Sequence, residues 1–140
     1  MRYETGDDEM PASERLVRFT LGDMVFEYDE EKNRKNIEKH GISFKNAARV
    51  FFDYDRIEFF DDEHSAEENR YDTIGDTSAG SLVTIGNLKE TERSVNDILF
   101  VVYTDRVMAK ENGKEVDVTR LISARLATNF ERGIYYGKYN

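Results

Sequence analysis

Arg70, Arg106, Arg120 and Arg125 sit in or at the ends of stretches that read as strands. A guanidinium offers a planar fork to two phosphate oxygens and never deprotonates, so four such residues point to phosphate binding and charge stabilisation. For any one of them the competing reading is a stem that runs along a sheet edge until the head reaches an acid. His64 lies in Asp61-Asp62-Glu63-His64-Ser65, a loop with no apolar face, where a histidine is better placed for proton transfer than one in a core. The three acids before it favour the imidazolium, making it a better acid than base. Its alternative role is a cap or a salt bridge. His40, before Gly41, reads as the C-terminal cap of a helix. Tyr135 and Tyr136 could stack a base or donate a proton, and one of them is expected to pack the last helix on the sheet. Asp61 to His64 are consecutive, so they cannot all turn to one ion, and there is no cysteine. No metal site and no cofactor are expected.

These residues need elements to hold them. Phe26 and Tyr28 alternate with charged residues at the end of a strand. Asp29 can cap a helix, with Glu30 and Glu31 in its first turn, Lys39 and His40 in its last, and Gly41 as the left-handed stop. Ser43 caps a second helix, over about 44–52, whose Phe44, Ala47, Ala48 and Phe51 fall on one face. Leu16–Leu21 and Met24–Tyr28 flank Gly22-Asp23, a two-residue hairpin loop. Strands are predicted at 56–60, 70–75, 98–104 and 116–124. The near-continuous apolar run from Ile98 marks a strand buried on both faces. Asn112-Gly113 signals a hairpin, and Thr128 with Glu131 forms a capping box that starts a short helix. By alternation Leu121, Ser123 and Arg125 share one face, while Val118, Arg120 and Ile122 share the other. The two arginines should therefore not converge unless a bulge intervenes. The fold class is α+β, with a small antiparallel sheet.

At 140 residues the chain makes one domain. No apolar run nears the ~20 residues that cross a membrane, and no secretion signal is seen, so a cytoplasmic location is expected. The net charge of −9 argues against a general nucleic-acid binder. Its distribution is uneven. Residues 106–140 hold seven basic and four acidic side chains, a net of +3, and could meet phosphate locally. The plainer reading is a solvated surface.

The stretch from Asp29 to Phe44, followed by Ala48-Arg49-Val50-Phe51-Phe52-Asp53, resembles the BrnT toxins of bacterial type II toxin–antitoxin systems. So, in order, do Asp61–Ser65, Glu68-Asn69-Arg70, Phe100–Thr104 and Leu121–Arg125. The resemblance spans 24–136. It implies a RelE-like fold with two helices in the first half and a short C-terminal helix. It makes 24–140 the toxin domain, 1–23 an N-terminal arm with an added strand, and about 77–96 an insertion. It implies metal-independent RNA cleavage, with Arg106 and Arg125 at motif positions linked to activity, and His64, Arg70, Arg120 and Tyr135 as further candidates. The implied partners are RNA and a BrnA-like antitoxin, two toxin chains with two antitoxin chains. The sequence departs from relatives at Tyr28, where many carry tryptophan, and at Leu126, Asn129 and Phe130, where many carry basic residues. These departures and the acidic balance keep a second reading open, a catalytically inactive module that still pairs with an antitoxin.

Overall fold

The computed structural model describes residues 15–64, 68–78 and 97–137, with His64 placed by its backbone. The arm at 1–14 and most of the expected insertion, 79–96, lie outside the described residues.

The elements run β1 (Leu16–Leu21), β2 (Met24–Asp29), α1 (Glu30–His40), α2 (Phe44–Ala47), a 3-10 turn (Ala48–Phe52), β3 (Ile57–Phe60), a second 3-10 turn (Asp62–His64), β4 (Arg70–Asp76), β5 (Ile98–Ala109), β6 (Glu115–Leu126) and α3 (Asn129–Tyr135). The caps are those read from the sequence. The Asp29 carboxylate accepts from the Glu31 and Lys32 amides, Gly41 ends α1 at φ 73°, Ser43 caps α2, and Thr128 with Glu131 forms the capping box of α3. The second helix tightens into a 3-10 turn after Ala47. β5 and β6 run past the predicted ends, to 12 residues each.

Among the described residues six strands form one sheet, in the order β1-β2-β6-β5-β4-β3. The expectation of an antiparallel sheet is corrected here, because β2 and β6 pair in parallel. The reason is topological. The chain leaves β2 through the helices and returns by a long crossover, the only route between parallel neighbours, and the β5–β6 hairpin docks with β6 against β2. The sheet is therefore mixed.

The two faces differ. Phe26, Tyr28, Leu99, Val101, Tyr103, Leu121 and Ala124 point to one face and bury Ile42, Phe44, Ala47, Val50 and Phe51 of the helical segment in the main core. We call this the helix face. On the open face, α3 covers only one end, where Ile74, Ile98, Phe100, Ala127 and Tyr135 form a second, smaller core.

A bulge sets what the open face carries. Tyr103 pairs with Leu121 but Val102 pairs with Ser123, so Ile122 is an extra residue in β6. Leu121 and Ala124 therefore reach the same core although three residues apart. Asn36 of α1 holds this arrangement. Its side-chain amide donates to the carbonyls of Ile42 and Ala124 at 2.9 Å each and accepts from the Ala124 amide at 3.2 Å, fixing the chain one residue before Arg125.

Candidate functional site

The bulge answers the parity question. With Ile122 added, Arg120 and Arg125 fall on the same, open face. Directly paired residues share a face. Thr104 pairs with Arg120 on one side and Arg70 on the other, and Arg106 lies two residues along β5. All four arginines singled out in the sequence thus lie on the open face.

They do not meet at one point. Arg125 pairs with Phe100, so six residues of β5 separate its register position from Arg106. At ~3.3 Å per residue that is about 20 Å, too far for both to grip one phosphate. The two arginines that the resemblance links to activity therefore occupy separate positions on the face.

Arg125 is the most constrained. Its guanidinium lies 4.2 Å over the Phe100 ring and donates to both carboxylate oxygens of Glu131, at 2.8 and 2.9 Å. Those hydrogen bonds raise the guanidinium pKa and hold the Glu131 carboxyl below the usual range. Glu131 also accepts from the Thr128 amide, so the cap of α3 and the seat of Arg125 are one unit. Beside them a cleft of about 320 Å³ is lined by Asp61, Glu63, Arg70, Asp72, Phe100, Val102, Ile122 and Ser123. Phe100, Val102 and Ile122 give it apolar surface, Asp61, Glu63, Arg70 and Asp72 give it charged groups, and Asp72 lies close enough to act on the charge of Arg125.

The other candidates sit as follows. Arg70 enters this cleft, and its Nε lies 3.6 Å from Glu68. Arg106 donates to the other oxygen of Glu68 at 3.3 Å and lines a second cleft, of about 470 Å³, with Asn69, Tyr71 and Thr104. Arg120 bonds the buried carboxylate of Glu27, which also takes Arg18. Burial alone would raise the Glu27 pKa, but the two guanidinium groups outweigh it and the net shift is downward. His64 closes the 3-10 turn Asp62–His64, next to the cleft residue Glu63. Tyr135 donates to Asp53 at 2.5 Å, and burial and that bond raise its pKa, which suits packing rather than proton transfer. His40 has a lowered pKa, from burial first and then from Lys39 and Arg125. Among the described residues no three His, Asp or Glu side chains are grouped to hold a metal ion, and no helix is long and apolar enough to cross a membrane.

Sequence reasoning missed Glu131 as the partner of Arg125, Phe100 as its platform and Asn36 as its anchor. The capping box was visible, but a glutamate that caps and also pairs six residues back is legible only once the bulge is known.

Residues 28–93 match the family model described as "Ribonuclease toxin, BrnT, of type II toxin-antitoxin system". This segment is similar to the BrnT family. No curated protein matches the chain. The BrnT match covers α1, α2, His64 and Arg70, while Arg106, Arg120, Arg125 and Tyr135 lie beyond its end. BrnT is a family of ribonuclease toxins with an antitoxin partner, and the match supports that general activity here.

Proposed function

We propose that this chain is the ribonuclease toxin of a type II toxin–antitoxin pair and cuts RNA without a metal ion. The observation that carries the proposal is Arg125, locked by Glu131 and Phe100 at the edge of a cleft that Arg70 enters from the BrnT-like segment. In the reaction the 2′-hydroxyl oxygen attacks the adjacent phosphorus and the 5′-oxygen of the next nucleotide leaves, giving a 2′,3′-cyclic phosphate. The phosphorane gains negative charge, and a fixed guanidinium stabilises that charge without reorganising. Arg125 fills this role, with Arg70 as the second cation. The carboxylates Asp61, Glu63 and Asp72 line the cleft and are the groups there that can take the 2′ proton. His64, next in the chain to Glu63, is assigned the proton for the leaving oxygen. Arg106 and Arg120 serve the flanking strand, and Tyr135 holds α3.

The proposed partner is a basic, BrnA-like antitoxin, in a complex of two toxin and two antitoxin chains. The inactive-module reading draws on one observation. Next to Arg125 in the chain and on α3, Leu126 and Phe130 expose apolar surface, at 46% and 62% of their area, where the resemblance leads one to expect basic residues. Digestion of a defined RNA in excess EDTA, followed by end-group analysis, separates the readings. A 2′,3′-cyclic end supports the proposal. Loss of activity in EDTA or a 5′-phosphate product overturns the mechanism. No cleavage by the folded protein, with no growth arrest on expression, leaves the binding module.

A further inference from the structure

The register aligns residues from five strands. Arg18 of β1 pairs with Glu27 of β2, Glu27 with Arg120 of β6, Arg120 with Thr104 of β5, and Thr104 with Arg70 of β4. All five lie on the open face. At ~4.8 Å per strand, Arg18 and Arg70 stand about 19 Å apart, with Arg120 midway. Arg106 lies two residues further along β5.

Two carboxylates at the row are each shared between two arginines. Glu27 takes both Arg18, at 2.8 Å, and Arg120, at 2.5 Å. Glu68 takes both Arg70, at 3.6 Å, and Arg106, at 3.3 Å. A guanidinium has five donors, so an arginine that shares its glutamate can add a phosphate oxygen without leaving it. Arg18 and Arg106 keep 49% and 45% of their side-chain area exposed. Alternation sends Asp105 and Asp117, which flank this row in sequence, to the helix face. There burial, with Glu58 and Asp117, raises the Asp105 pKa. These two acids are therefore separated from the row by the thickness of the sheet.

We propose that the row Arg18–Arg120–Arg70, with Arg106 at its side, binds the backbone of single-stranded RNA as it leads into the cleft beside Arg125. This deepens the ribonuclease reading and rests on it for the identity of the nucleic acid. The row ends at Arg70, which also lines the cleft, so bound strand and reacting nucleotide are continuous. The cleft, of about 320 Å³, is of the size of a single nucleotide, which favours an unpaired strand. Contacts of this kind neutralise phosphates and release counterions, so they appear as salt dependence rather than sequence preference.

The test is fluorescence anisotropy on the full chain with 2′-O-methyl oligouridylates of two to ten nucleotides, which resist cleavage, at several salt concentrations. Affinity should climb with length up to about four to six nucleotides. Arg18→Gln and Arg106→Gln should each flatten the log–log salt slope by about 0.7 and weaken long oligonucleotides several-fold, the loss growing with length. Arg18→Lys keeps the charge and should keep the slope, which separates phosphate contact from damage to β1. Affinity independent of length, Gln variants that superpose on the unaltered protein, or tighter binding of a duplex would each overturn the row. If the row fails in this way while defined RNA is still cut to a cyclic end, the ribonuclease reading survives it.

Discussion

Arg125 illustrates how a surface arginine becomes a fixed charge. Removing one preorganised donor to a developing oxyanion typically lowers the rate about 10²–10³-fold. Arg125→Ala should do so in single-turnover cleavage while the circular dichroism spectrum keeps its shape. Arg125→Lys should recover little, since an ammonium cannot bond both Glu131 oxygens and lie flat on Phe100. Glu131 carries a pH prediction. Its carboxyl is held low by Arg125, so its contribution to stability is full above the ordinary glutamate pKa and is lost as pH falls through the folded-state value. Glu131→Gln should therefore cost about 1 kcal/mol near neutral pH, modest because Arg125 is partly in water, and nothing in strong acid. Melting curves of both proteins across pH would show the gap closing. A gap that persisted in acid would mean that the amide disturbs the cap itself.

At the scale of elements, the helices, their caps, both hairpins and the start of α3 were legible, because each rests on local signals such as Asp29, Gly41, Ser43, Asn112-Gly113 and Thr128. The parallel β2–β6 pair was not, since nothing in either strand names its neighbour. The extra residue at Ile122 was not either. It is an ordinary β-former, and it becomes a bulge only because Asn36 grips Ala124 across 88 positions. The site inherited that limit. Its arginines could be named, but not their common face, nor the distance that parts Arg106 from Arg125. The β4–β5 connection gives a prediction at this scale. The Thr77 amide donates to the Asp97 carbonyl at 3.0 Å and the Asp97 amide to the Thr77 hydroxyl at 3.0 Å, so the hairpin is closed before residue 79 leaves it. Replacing 79–96 by a four-residue Asn-Gly turn should shift chemical-denaturation stability by only about 1–2 kcal/mol. A larger loss would give the segment a part in the fold.

For the molecule as a whole, the proposed RNA substrate and the proposed basic antitoxin call for different surfaces. The net −9 would draw a basic antitoxin, while the arginine row lies on one face. Association with such an antitoxin should slow steeply as salt rises, with dissociation changing less, in stopped-flow mixing. Equal slowing of both rates would argue that contact, not steering, sets the encounter.

The single extra residue in β6 has an evolutionary side. Strand positions alternate, and Ile122 is the residue of β6 that stands outside that alternation. Loss of its codon would leave Leu121 against Tyr103 and Ser123 against Val102, as they are now. Ser123 and Arg125 would still face outward, and Ala124 would still face the helices. In mutational terms the bulge is slack: a three-nucleotide deletion at Ile122 is absorbed by straightening the strand, and the arginines keep their face.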